Sequence, residues 1–192
     1  MKKLFFTIIF GAVAAFGANA QIQKGNVMVG ANLSNISFGL DKPNQFTFNI
    51  SPKAAWFVQD GLALGADVNL GLATQKGSGT DFSYGLSALG RYYGETGANE
   101  VVKSSRFFGE ATVGIQGYNY SGGGNTNGLG FSFGPGFTYF MTPSIGLEAL
   151  LKYTGVVGFG SSVYSHHLGV GVGFQIYLPG KSTARKVERD MN

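Results

Sequence analysis

Alternation of apolar and small polar residues, repeated from one end of the chain to the other, is what most limits the folds open to it. From Phe46 to Val58 the even positions read Phe46, Phe48, Ile50, Pro52, Ala54, Trp56 and Val58, against Thr47, Asn49, Ser51, Lys53, Ala55 and Phe57. From Leu62 to Ala73 the apolar set is Leu62, Leu64, Ala66, Val68, Leu70 and Leu72. Period two belongs to a β-strand, whose successive side chains point to opposite faces. The same pattern runs through Val27–Ser34, Phe82–Tyr92, Phe107–Gln116, Leu129–Tyr139, Ile145–Thr154 and Leu168–Leu178. These make about eight strands, each near the 9–11 residues that a tilted strand needs to cross a bilayer. No stretch after the leader reaches the length of about 18 apolar residues that a membrane helix needs.

The identity of the polar face decides between a soluble and a membrane barrel. A face turned to water carries about 25–35% charged residues. Here that face is Gly, Ser, Thr and Asn with few charges: Lys53, Asp67, Arg91, Glu110, Glu148 and Lys152. Over the whole chain 12% of residues are charged and 32 are Gly. Small polar residues suit the narrow interior of a closed eight-stranded sheet, and the Leu, Val, Phe and Ala of the other face suit lipid. Closure also leaves no strand edge unpaired in hydrocarbon. The expected fold is all-β, a transmembrane antiparallel up-and-down β-barrel of about eight strands.

The ends of the chain read differently. Lys2 and Lys3, the apolar run Leu4 to Phe16 and the Ala18-Asn19-Ala20 site make residues 1–20 a signal peptide cut before Gln21. Residues 21–178 are the barrel, and 179–192 form a basic tail expected to be disordered in the periplasm. Two connections are tight, a three-residue loop Gln59-Asp60-Gly61 and another at Thr142-Pro143-Ser144. The alternate connections are longer: Ser37 to Gln45, Thr74 to Asp81, Asn119 to Gly128 and Gly155 to Ser165. Gly94 to Ser105 is a long connection on the short side. Aromatics gather at the strand ends, with Trp56, Tyr92, Phe107 and Tyr139 towards one rim and Phe46, Phe82, Phe131 and Tyr153 towards the other. Such girdles mark two lipid–water interfaces.

With its leader, its alternating strands and the closing Gly171-Val172-Gly173-Phe174-Gln175-Ile176-Tyr177-Leu178, the chain resembles the small eight-stranded outer-membrane β-barrels of Gram-negative bacteria. The resemblance implies an outer-membrane location, a monomer in contact with lipid and lipopolysaccharide, and a last strand read by the barrel assembly machinery. Where that strand commonly ends on an aromatic residue, this chain runs on from Pro179 to Asn192.

Chemistry enters through the lumen. Across the Asp60 hairpin, paired positions place Lys53 opposite Asp67, both inward, where opposite charges attract. Arg91, Glu110, Glu148 and Lys152 join them in a polar network that reads either as an ion pathway or as a plug. Ser165 and His167 share a face and invite a Ser–His nucleophile, but no inward carboxylate at that height orients the imidazole. His166-His167 is no metal pair, since adjacent strand residues point apart. Gly122-Gly123-Gly124 precedes no helix and lacks the Lys-Ser/Thr of a phosphate loop. The loop charges Asp41, Lys42, Lys76 and Asp81 cancel, which argues against nucleic acid. With no Cys, thiolate chemistry is closed as well. The expected protein is therefore non-enzymatic, without metal or cofactor, and structural or surface-interacting; a narrow passive channel and a lipid-modifying enzyme are the alternatives. Expressed in a Gram-negative host, it should fractionate with the outer membrane and show heat-modifiable migration. Recovery as a soluble periplasmic protein contradicts this reading.

Overall fold

In the computed structural model, residues 22–38, 45–75, 77, 79–94, 105–123, 125–159 and 164–180 are described. They form eight strands: β1 (Val27–Phe38), β2 (Gln45–Gln59), β3 (Leu62–Gln75), β4 (Gly79–Tyr93), β5 (Ser105–Asn119), β6 (Asn125–Thr142), β7 (Ile145–Gly158) and β8 (Tyr164–Leu178). Each strand is antiparallel to its chain neighbour, and β1 pairs with β8 to close the barrel. The leader 1–20, the tail 181–192, most of the Gly94–Ser105 connection and Asp41, Lys42 and Lys76 lie outside the described residues.

Alternation sorts the side chains as a lipid-spanning sheet requires. Leu64, Val68, Leu70 and Leu72 of β3, Leu86 of β4, Val113 and Ile115 of β5 and Val170 and Val172 of β8 all stand exposed on the outside of the barrel. Their inward neighbours Asp67, Ser87, Thr112 and Gln175 are buried. The usual arrangement of a soluble domain is thereby inverted, with large apolar side chains on the outside and polar ones within. Only a lipid surround makes that favourable, at about 25 cal/mol for each Å² of apolar surface kept from water. The hydrocarbon is crossed by strands, whose backbone groups pair with those of neighbouring strands in a closed sheet.

The tight connections are two-residue turns rather than three-residue loops. Gln59 pairs with Leu62 around Asp60-Gly61, and a bulge between Phe57 and Gln59 takes up the extra residue. Thr142 likewise pairs with Ile145 around Pro143-Ser144, with a bulge between Phe140 and Thr142. Gly61 sits at φ 77°, a left-handed conformation that strains any side chain. On the opposite side the strands outrun the hydrophobic pattern. Most of Thr74 to Asp81, expected as a loop, is strand, with Thr74 pairing Thr80 and Gln75 pairing Gly79. Polar residues there have no lipid to face, so hydrophobic alternation does not mark them.

Pro52 and Pro135 lie inside strands, where a missing N–H normally restricts proline to an edge. Each interrupts the ladder on one side only. The β2–β3 register skips Ser51 and Pro52, and the β6–β7 register skips Gly134 and Pro135, while both prolines keep partners on β1 and β5 respectively.

Both described termini and the short turns share one end, here the turn end. There the lumen is packed with Met28, Phe57, Tyr93, Phe108, Phe140 and Tyr177, all buried. Tyr93 lies 5.5 Å from Phe108 and Tyr177 5.2 Å from Phe140 between ring centroids. Gly136 makes room for the Phe108 ring, which a Cβ at that position would strike. Ile22 packs against this layer from outside the barrel proper, and its carbonyl accepts from Gly61 N–H at 2.8 Å. Leu70→Arg, on the lipid face, should cut folding yield into lipid vesicles sharply, since arginine near the midplane costs about 2–4 kcal/mol. Asn69→Ala, on the inner face, loses one hydrogen bond to Ser51 and should fold nearly as wild type. Equal yields for the two variants contradict the facing.

Candidate functional site in the barrel lumen

Directly above the aromatic layer, four strands deliver charges to one point. Arg91 of β4 is 1% exposed, and all five of its N–H donors are placed. Nη1 and Nη2 hold Glu148 of β7 at 2.6 and 3.0 Å, a two-pronged contact. Nε donates to Glu110 Oε2 of β5 at 2.9 Å, and Nη2 reaches the same oxygen. The second Nη1 proton goes to Tyr93 OH at 3.0 Å, with Met28 Sδ at 3.5 Å. Beneath the guanidinium lies the Phe108 ring, 4.1 Å from its carbon to the centroid, a geometry that favours a cation.

Lys53 of β2 completes the cluster by donating to both Glu110 oxygens, at 2.8 and 2.9 Å. Gln175 of β8 donates to Glu148 Oε1 and to Asn32 Oδ1 of β1, each at 2.9 Å. The hydroxyls of Tyr93 and Tyr177 meet at 2.8 Å below. Two cations thus face two anions, and the side chains of the four are 0–1% exposed. Burying such groups is tolerable only because every charge is paired and hydrogen-bonded. The arrangement spans the barrel from wall to wall and holds six strands together through side chains.

Lys53 and Asp67 do lie opposite each other in the β2–β3 register, but the lysine does not bind the aspartate. Its ammonium passes across the lumen to Glu110. Register fixes neighbours along the wall, whereas a four-carbon stem reaches the far side of so narrow a barrel. Asp67 Oδ2 is left buried without a hydrogen bond. Asp67 and Lys152 instead line a polar cavity of about 70 Å³ above the cluster, together with Asn49, Ser51, Asn69 and His167. Six inward charges therefore split into a closed quartet and an open pair.

Of the outward aromatics, Trp56, Tyr92 and Tyr139 stand exposed towards the turn end and Phe82 towards the loop end. Tyr153, also in the loop-end half, is half-buried between Phe133, at 5.3 Å, and His166, at 6.1 Å. Ser165 and His167 occupy the inner face of β8, opposite Val156 and Thr154 of β7. Asp81, expected in a loop, belongs to β4 and accepts from Ser121 N–H and hydroxyl at 2.9 and 3.1 Å. Among the described residues no three His, Asp or Glu side chains cluster to hold a metal.

Sequence reasoning missed Met28, Tyr93, Phe140, Tyr177 and Gln175 as parts of this site. The signal was present in the small-residue column itself, where Met28, Phe57, Phe108 and Tyr177 break a run of Gly, Ser and Thr near the turn-end termini of their strands.

No protein-family model and no curated protein matches the sequence. Among solved structures, Neisserial surface protein A aligns with a TM-score of 0.54 at 17% identity, covering 79% of this chain and 95% of that one. The fold is that of a small outer-membrane β-barrel. The N-terminal barrel domain of Pseudomonas aeruginosa OprF aligns at 0.48 and 16% identity, over 81% of this chain and 98% of that one. P. aeruginosa OprG does so at 0.49 and 11%, over 84% and 99%. The closed eight-stranded wall of this chain shares the fold of Neisserial surface protein A.

The quartet makes a quantitative prediction. A double-mutant cycle of Lys53→Met with Glu110→Gln, followed by urea unfolding in vesicles, should give a coupling of about 1–3 kcal/mol, and Lys53→Met with Asp67→Asn under about 0.5 kcal/mol. The reverse order contradicts the assignment of the lysine.

Proposed function

We propose that this chain is a non-enzymatic outer-membrane barrel that serves the cell envelope as a structural or surface-interaction element, with a sealed lumen. The observation that carries this reading is Arg91 with every donor occupied, backed by the Phe108, Tyr93 and Tyr177 layer. An ion crossing the lumen has to break buried charge pairs and displace packed rings, and each step costs several kcal/mol. The exposed ring of Trp56, Tyr92 and Tyr139 at one end, with Phe82 and Tyr153 at the other, anchors the monomer at the two lipid interfaces. On this reading the leader 1–20 is removed on export, the barrel machinery reads the Gly171–Leu178 strand, and the 179–192 tail hangs in the periplasm. Lipid and the phosphates of lipopolysaccharide surround the loop end.

The narrow channel remains the alternative because the Asp67–Lys152 cavity descends into the lumen from the loop end. Planar-bilayer recording separates the two. The purified wild-type barrel should show no discrete conductance steps at neutral pH, and Arg91→Ala with Glu148→Ala should produce them only when Phe108→Ala and Tyr177→Ala thin the aromatic layer as well. Steady steps from wild type move the channel to the front. A lipid A mass-shift assay tests the enzyme reading; an unshifted spectrum is expected, and a deacylated or acylated product contradicts the non-enzymatic assignment.

A further inference from the structure

Among the described residues, the seam that closes the barrel is incomplete towards the loop end. The β1–β8 ladder runs from Val27–Leu178 to Ser34–Gly171, and among the described residues it stops there. β1 then leaves β8: a bulge between Ser34 and Ser37 shifts its register to β2, and Asn35 takes φ 52°, a left-handed conformation that Asn tolerates better than most side chains. β8 continues through Ser165–Val170 paired to β7 alone. Leu168 and Val170, beyond the last β1–β8 pair, are 66% and 64% exposed.

Behind this notch lies the cavity described above. Ser34 and Asn35 form its lining on one side of the gap and Gly169, Val170 and Gly171 on the other, so the space reaches the barrel wall. Three of the residues that line it carry a buried polar atom with no partner: Asp67 Oδ2, Asn49 Oδ1 and Asn32 Nδ2. Asp67 and Asn32 are themselves 3% and 5% exposed. Two acceptors and one donor are thus left open, beside a Lys152 whose charge offsets that of Asp67. Unpaired strand edges are not left against hydrocarbon unless a polar space lies behind them, and buried polar groups demand partners.

From this geometry we propose that the β1–β8 notch is a lateral portal through which the vestibule takes the uncharged, hydroxyl-bearing headgroup of a single-chain amphiphile. Hydroxyls donate to Asp67 and Asn49 and accept from Asn32 and Lys152, which neither a pure cation nor a pure anion does. A cavity of about 70 Å³ holds several waters, which a glycerol-sized group would replace. The acyl chain leaves between Ser34–Asn35 and Gly169–Gly171 and lies along Leu168, Val170 and Val172, on the lipid side of the wall. The site is separate from the sealed-lumen reading, because it lies above the Arg91 cluster and leaves that cluster intact.

The chain has no Cys, and a Cβ at position 169 would stand 3.5 Å from Asn35 Oδ1, so Asn35→Cys with Gly169→Cys places two thiols side by side across the portal, where oxidation is checked by thiol titration. The probe is 1-decanoylglycerol, titrated into the barrel in lipid nanodiscs and followed by the amide shift of Gly171, which every variant keeps, with heat-modifiable migration as the fold control. Saturable binding is expected in wild type, weakened at least tenfold in the oxidised double variant and regained on reduction. Gly169→Phe, which fills the notch without thiols, should weaken it likewise, and Asn49→Leu should weaken it with the portal open. Undiminished binding after linkage overturns the portal. Decyl sulfate and decyltrimethylammonium binding as well as the glyceride would reduce the effect to membrane partition and overturn the headgroup assignment. Absence of saturable binding overturns the proposal as a whole, whatever the bilayer recordings show.

Discussion

The Arg91 guanidinium, clasped between Glu110 and Glu148, is the contact around which the interior of this barrel is arranged. Closing eight strands turns half of every strand inward, into a space that side chains themselves must fill. Apolar filling alone suffices at the turn end, where Met28, Phe57, Phe108 and Phe140 pack together. A step higher, the same ring of strands presents charges, and these are stable only as a neutral, fully bonded set. Arg91 suits that place because its planar fork meets two carboxylates at once while its face rests on Phe108. A lysine there would offer fewer donors and no flat face. The tyrosines below serve both layers, with rings in the apolar one and hydroxyls bonded to Arg91 and to each other.

The outside follows the opposite rule. Lipid asks only that backbone groups be paired and that the surface be apolar, so Leu, Val, Ile and Phe there need no specific partners. Specificity therefore lies inside, where a single unmatched charge is costly. It also lies where the wall is imperfect. The two strand prolines each open one ladder locally, and the bulge at Asn35 opens the seam itself. At the seam the exposed edge lies beside a polar vestibule and not solely against lipid, which connects the defect in the wall to the unpartnered Asp67 and Asn32 behind it.

Much of this was legible in the order of residues, for reasons that differ from place to place. The eight strands and their facing follow from alternation, because lipid and lumen select opposite side chains at every step. Lys53 opposite Asp67 follows from counting across the hairpin, and it survives the exchange of a three-residue loop for a turn plus bulge because both consume the same number of residues. The partner of Lys53 does not follow. Counting along the wall contains no information about which strands face each other across the lumen, and β2 meets β5 only once the barrel is closed. The polar ends of β3 and β4 were invisible for a different reason, since Thr74, Gln75 and Thr80 extend beyond the region where hydrophobicity reports on strands. The Asn35 bulge was also hidden, because the alternation of β1 stops at Ser34 and the residues beyond it, shifted by one, break the parity.

A sealed lumen requires a dry, fully bonded Arg91, and hydrogen exchange at its side chain tests that directly. In labelled barrel reconstituted in lipid nanodiscs, the Arg91 Nε–H, which donates to Glu110 at 2.9 Å, should give a resolved NMR resonance that exchanges with water orders of magnitude more slowly than the exposed arginines of the unfolded chain in urea. Exchange at the rate of a free guanidinium would show that water fills the lumen around the cluster and would contradict the sealed barrel.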